Sequence, residues 1–391
     1  MKIENRGLLV LLAFTFFMVT GFEMIMPLVI GHYVHNMGFA ATEVGAALAI
    51  RKFSQQGLAL LGGILADRRD IKILISLGMV MRTAGFFFLA FAESFSSLLM
   101  AMLFIGLGGV VFETPYQTAI ATLTTPENRS RYFSLNNTLV GVASTAGPLL
   151  GALLLALDFK AVCFATAGCF FVNLLIAITL LPHIHPRTKA LSIRNSFDIL
   201  RRDRQYIRFV ILMSIFWLGA SQIDISYPLQ IQQISGKPES VSWMYSIYAG
   251  VTAILQYPLV TRLLRSFTPR QIILMGTAII SAALAVTPLI PTTSLFLCLV
   301  ALYTMGMLLA RPNQQNLAIT LANQENTGLY LGFNAMSFAI GSGGGVFLGG
   351  ILFDFSQING TPFLPWILFC AIGCLALAGF WKGKDLDSLE E

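Results

Sequence analysis

Seven ionisable side chains sit where oil-soluble helices ordinarily carry none. Glu23, Arg51, Lys52, Arg82, Glu113, Asp224 and Arg311 fall inside long apolar runs of the chain, and each would cost about 2.5–3.5 kcal/mol at the centre of a membrane helix. Such residues persist where they face a water-filled cavity or one another; there the acids can exchange protons and the bases can hold anionic or zwitterionic groups. The helix rise puts Glu23 and Arg51 at similar depth, and likewise Arg82 and Glu113, so the expected pairs are Glu23 with Arg51 and Glu113 with Arg82 or Arg311. Glu23, Glu113 and Asp224 are the candidate proton-coupling acids. Arg51, Arg82, Arg311, Asn136, Asn334, Trp217, Tyr227 and Tyr248 are the candidates for substrate binding or cavity walls. The competing readings are static ion pairs for Glu23 and Glu113, an ordinary acid at a cavity mouth for Asp224, and lipid-facing filler for the aromatics in a chain with 31 phenylalanines.

The elements that must position these residues follow from composition. Of 391 residues, 56% are hydrophobic and 11% charged, with a mean hydropathy of +0.74; soluble domains carry about 25% charged residues. A span needs about 20 apolar residues, and twelve stretches meet that: 7–31, 42–66, 72–92, 96–123, 132–157, 160–181, 207–234, 240–262, 270–290, 294–322, 329–353 and 364–381. Their length and lack of alternating polarity mark helices rather than barrel strands. Lys2 and Arg6 give the first span a basic start, but its apolar run is too long for a signal peptide and no small-residue cleavage site follows, so it is expected to be retained. The expected fold is an all-α integral membrane protein with twelve transmembrane helices in two six-helix, pseudo-symmetric bundles: 1–181, a linker 182–206, and 207–391 with a short tail.

The halves repeat one another. Pro115 and Gln117 correspond to Pro312 and Gln314; after a one-residue shift Asn128, Tyr132, Asn136, Gly147 and Gly151 correspond to Asn326, Tyr330, Asn334, Gly345 and Gly349. Glu23 precedes Pro27-Leu28 by the spacing at which Asp224 precedes Pro228-Leu229, which makes the two acids repeat mates. Two like halves in lipid imply a transporter of parallel repeats, with its site at the seam. Lys and Arg crowd the loops on one side, from Arg68, Arg69 and Lys72 to Lys382 and Lys384, leaving Lys160 and Lys237 on the other; both termini are therefore expected in the cytoplasm. In the linker, 196–204 can form an amphipathic helix on the anionic leaflet.

Several functions are excluded. The basic residues are topology signals rather than a nucleic-acid face. All five cysteines lie in apolar spans, which argues against a disulfide framework. Gly341 to Gly345 lacks the Lys-Ser/Thr of a phosphate loop. His32 and His35 have no further ligands near them in sequence, so no metal is expected. No catalytic constellation lies in a soluble segment; neither an enzyme nor a cofactor is expected.

Residues 63–72, GILADRRDIK, resemble the loop between helices two and three of the major facilitator superfamily, with Gly63, Asp67, Arg68 and Lys72 in place; Asp70 and Ile71 stand where a Gly and a basic residue are usual. Residues 147–151, GPLLG, resemble the helix-five signature of that family's drug/proton antiporters, and the whole chain is similar to one bacterial multidrug-exporter type within the branch. Met102 stands where such antiporters carry an arginine, which moves attention to Arg82, Glu113 and Glu23. The resemblance implies that Asp67, Arg68, Lys72, Gly147, Pro148 and Gly151 serve gating, Asp67 by facing the N-terminus of the eleventh helix near Gly328. It further implies a proton-coupled exporter of small amphiphilic compounds in the bacterial inner membrane, working by alternating access as a monomer, with protons, a small-molecule substrate and the lipid bilayer as partners. The alternatives are an importer or dedicated exporter of one anionic or zwitterionic metabolite or siderophore, and a non-transporting membrane sensor.

Overall fold

The computed structural model describes residues 3–59, 61–62, 65, 69–124, 126–184, 199–237, 239–263, 266–322 and 327–383. Asp67, Arg68 and most of the linker lie outside them. Regular structure among the described residues is helical: α1 (Ile3–Ile30), α2 (Ala41–Lys52), α3 (Ile71–Leu89), α4 (Phe95–Leu123), α5 (Pro126–Leu155), α6 (Phe159–Leu180), α7 (Arg204–Ala220), α8 (Ser226–Ser235), α9 (Glu239–Leu263), α10 (Pro269–Val286), α11 (Thr293–Thr320), α12 (Thr327–Asn359) and α13 (Leu364–Lys382). Ten helical stretches among the described residues are long and apolar enough to cross a membrane. Helices α2 and α9 lie on the remaining expected spans; α2 covers only the first part of 42–66 and carries Glu43, Arg51 and Lys52.

Local chemistry sets the helix ends. Ser94 and Ser97 form a reciprocal capping box at the start of α4, and Thr268 with Gln271 does the same for α10, whose first residue is Pro269. Asp70 caps α3, accepting from the Lys72 backbone N–H at 2.9 Å, and its other oxygen meets His183 Nδ1. The residue that departs from the loop pattern thus starts the next helix. Asp70→Ala is expected to lower stability by about 1 kcal/mol, seen as a small drop in melting temperature in detergent; an unchanged melt would mean the cap contributes nothing.

The chain forms two compact units: Met1–Phe39 with Ile50–Ala190 and Val241–Ala249, and Ala40–Ala49 with Leu191–Ser240 and Gly250–Glu391. Within each unit the same pairings recur. In the first, α3 packs on α4 and α6, and α1 on α5 and α6; in the second, α10 packs on α11 and α13, and α7 on α12 and α13. The closest approaches are also duplicated. A Cβ on Gly78 would lie 2.7 Å from the Gly108 carbonyl oxygen, and one on Gly276 would lie 2.6 Å from that of Gly306. Small residues at matched positions let backbones meet in lipid, where packing rather than water drives association.

The seventh expected span is not one helix. After Ala220 the chain makes a 3₁₀ turn, Ser221–Asp224, and α8 begins beyond Ile225 at φ −141°, ψ −62°. The repeat explains the break. Gly147 meets Thr20 and Glu23, whereas Gly345 meets Leu218 and Ser221; Gly151 meets Met24, whereas Gly349 meets Gln222. Packing therefore makes Ser221 the mate of Glu23, and the expected match with Asp224 is corrected. Pro27 and Pro228 are 201 residues apart while Gly147 and Gly345 are 198 apart, and the irregular turn absorbs the difference.

Candidate functional site

In the first unit α2 widens at its end into a π-helical turn, Phe53–Gly57, a distortion often found at functional positions. Here two consecutive side chains reach one carboxylate: Gln55 Nε2 donates to Glu113 Oε1, and Gln56 Nε2 donates to Oε2 at 3.2 Å. Arg82 Nη2, from α3, stands 3.6 Å from Glu113 Oε1. Arg51 joins the network by donating from Nη1 to Gln55 Oε1 at 3.3 Å.

The surroundings fix the guanidinium more firmly than the carboxylate. Arg82 is 3% exposed and lies over the rings of Phe112 at 5.4 Å and Phe170 at 5.6 Å, contacts that favour a cation in a dry setting. Two glycines of α4 make its slot: a Cβ on Gly108 would be 2.9 Å from Arg82 Cγ, and one on Gly109 would be 2.8 Å from Nη2. The Glu113 side chain keeps 36% of its surface open. Below it, Phe112 stacks on Phe14 and Tyr116, and Tyr116 OH donates to the Leu11 carbonyl of α1. A partly open carboxylate held by two amides and one guanidinium can exchange a proton, and gaining one removes the charge that orders its partners.

The structure thus brings Glu113, Arg82 and Arg51 into one network. Glu23 is half-buried on α1 with its Cβ against Gly147, and Arg51 lies over the ring of its neighbour Phe22 at 5.2 Å. The glycines of GPLLG act here by close packing of α5 on α1, with Pro148 inside the helix. Asn136 accepts from Tyr132 OH at 3.3 Å. Lys72 stands in the first turn of α3, and Tyr248 is half-buried on α9.

In the second unit Trp217 Nε1 donates to Gln314 Oε1 at 3.0 Å, and Gln314 Nε2 donates to Asn334 Oδ1 at 3.3 Å. Asp224 is half-buried at the helix break, and Arg311 is exposed on α11. Tyr227 does not line an open wall: it is fully buried among Phe296, Tyr303 and Trp366. Sequence reasoning passed over Gln55, Gln56 and Gln314 as site residues; the available signal was the polar run Arg51 to Gln56 inside an apolar span. No group of three or more His, Cys, Asp or Glu suited to a metal occurs among the described residues.

The description of the Major Facilitator Superfamily matches residues 11–346, with a second match over 234–386. The chain belongs to the major facilitator superfamily. This major facilitator chain is 32% identical over 359 residues to multidrug resistance protein MdtH of Aeromonas hydrophila subsp. hydrophila, covering 92% of this chain and 90% of that one. It is also 32% identical over 365 residues to the protein of that name from Yersinia pestis (strain Pestoides F), covering 93% and 91%. Its fold matches a POT family transporter solved with 5-aminolevulinic acid, at a TM-score of 0.78 and 14% identity over 97% of each chain. The nucleoside transporter NupG superimposes at 0.80 and 13% identity, over 97% of this chain and 100% of that one. The protein is a multi-pass membrane transporter and not an enzyme, and the all-helical fold expected from composition is the one found.

Proposed function

We propose that this transporter is a proton-coupled exporter of small amphiphilic compounds, alternating between inward- and outward-open states as residues 1–181 rock against 207–391. The observation that carries the reading is the Glu113 network, a carboxylate inside a membrane bundle with a fixed cation and two amide donors as partners. Proton binding to Glu113 frees Gln55, Gln56 and Arg82 together, and a two-state protein responds to such a change by shifting its population. Glu23 and Asp224 are the further candidate acids, and Asp67, Arg68 and Lys72 the proposed gating residues of the loop. The names of the relatives support export and cargo of drug type. In the second unit Trp217 and Gln314 are buried, at 5% and 4% exposure, and bonded to each other, so they brace half-buried Asn334 as the candidate contact for an amphiphile.

The test is proton flux in liposomes driven by a panel of charged and neutral compounds. Glu113→Gln is expected to cut compound-driven flux at least about tenfold, the size of one charge-assisted interaction, while compound binding persists. Wild-type flux in Glu113→Gln, Glu23→Gln and Asp224→Asn alike would sink the coupling assignment. A second reading, transport of one anionic or zwitterionic metabolite, is favoured by the burial of Arg51, Lys52 and Arg82 at 9%, 4% and 3% exposure. Uptake into right-side-out against inverted vesicles separates import from export, and the compound panel separates one metabolite from many amphiphiles.

A further inference from the structure

Helix α2 is divided between the units. Its start, Ala40–Ala49, groups with the second unit, and Ile50 onward belongs to the first. The first N–H groups of a helix have no partner within it and carry the positive end of its dipole. The residue before α2 is Ala40, whose methyl group offers no cap. The acceptor comes instead from α12: Asp354 Oδ1 accepts from Ala41 N–H at 3.0 Å, and Oδ2 accepts from Thr42 N–H at 2.7 Å and from the Thr42 hydroxyl at 2.6 Å. Two glycines bring the helices within reach. A Cβ on Gly350 would fall on the Ala41 carbonyl oxygen, and one on Gly45 would lie 2.9 Å from that of Val346.

From this clasp α2 runs unbroken to Lys52 and into the π turn that presents Gln55 and Gln56 to Glu113. One short helix therefore has a carboxylate from α12 at its start and the carboxylate of α4 at its end. We propose that Asp354 is a gating residue of the transport cycle: it holds the first turn of α2 on α12 at the side of the membrane poor in Lys and Arg, and the protein opens to that side only when these three hydrogen bonds are released. The proposal rests on alternating access, but not on proton coupling or on any particular cargo. Release is reversible because water can take over the freed N–H groups and the carboxylate, so the clasp biases a state without locking it.

The experiment places one cysteine at Ala41, which is fully buried, in full-length protein whose five native cysteines are replaced by serine. Intact cells are treated with a membrane-impermeant maleimide and the labelling rate is followed. Asp354→Ala is expected to raise the rate at least about tenfold, as befits loss of charge-assisted hydrogen bonds. Thr42→Val removes only the hydroxyl contact and is expected to raise it by a smaller factor, while Glu93→Ala, at an exposed acid, leaves it unchanged. Equal rates in all variants would overturn the proposal, as would an equal rise in Glu93→Ala; should Asp354→Ala fail to reach the membrane, Thr42→Val decides alone. Labelling needs neither substrate nor proton gradient. A normal labelling response without compound-driven proton flux would sink the exporter reading only, and the converse would sink the clasp only.

Discussion

Arg82→Met is expected to destabilise the protein by about 2–3 kcal/mol, below the usual loss for a fully enclosed pair because 36% of the Glu113 side chain stays open. Methionine keeps the length and fits between Phe112 and Phe170, so the loss reports the charge rather than a cavity. It leaves the Glu113 carboxylate with amide donors but without its guanidinium, a deficit that removing the acid should relieve. The double variant Arg82→Met with Glu113→Gln is therefore expected to melt above Arg82→Met alone, with a coupling energy of about 1 kcal/mol or more. Thermal unfolding in detergent measures all four corners of the cycle. Additive losses would mean that the two side chains sit together without mattering to each other, and the carboxylate network would lose its claim to be the coupling site. On the proposed coupling, transport should fail in both single variants, for different reasons: one would lack the proton acceptor, the other the group that senses whether the proton is present.

Gly151→Ala is expected to be more damaging than its single added methyl suggests. The new Cβ would fall on the carbonyl oxygen of Met24, which is backbone and cannot rotate away, so α5 must separate from α1. Overpacking of this kind costs typically about 1–3 kcal/mol and occasionally more; with backbone on both sides the upper end is expected, and the yield of monodisperse protein should fall with the melting temperature. Its mate gives a graded comparison. A Cβ on Gly349 would meet side chains, Gln222 Oε1 at 2.6 Å and Ile225 Cγ2 at 2.7 Å. These can yield where a backbone carbonyl cannot, at the expense of the Gln222 hydrogen bonds at the helix break, so Gly349→Ala should be milder. Gly344 has open space around its position, and Gly344→Ala should stay within about 0.5 kcal/mol of the parent. Equal melting temperatures for all three would show that these contacts do not hold the bundles together.

Much of this architecture was legible because lipid imposes simple demands. Apolar runs long enough to span gave the helices, and matched depth along the helix rise left Arg82 and Arg311 as the partners open to Glu113, of which the structure shows Arg82. Other features depend on partners far away in the chain. Nothing in Ser221 to Ile225 resembles a helix breaker. The break holds because Tyr303 OH donates to the Ala220 carbonyl and Gln222 Nε2 donates to those of Leu218 and Gly345, which satisfies groups that would otherwise be stranded. The three-residue mismatch between the proline and glycine alignments was visible in the sequence, yet only the contacts of Gly345 and Gly349 locate it. Asp354 drew no expectation, standing just past the expected span 329–353, because its donors lie 312 and 313 residues away. Tyr227 reads as a cavity aromatic for the opposite reason: its type is right, and only its enclosure by three rings shows where it points.

The slot around Arg82 also bears on how charge would enter the proposed cycle. A guanidinium does not surrender its proton under physiological conditions, so within the Arg82–Glu113 pair the only variable charge is on the carboxylate. If Glu113 carries the proton as proposed, the pair alternates between neutral and positive, never negative. A cationic compound nearby would be tolerated while the acid is ionised and repelled once it is protonated, whereas an anionic one would experience the reverse preference. Under the proposed coupling, the order in which proton and cargo visit the protein would therefore be tied to the sign of the cargo.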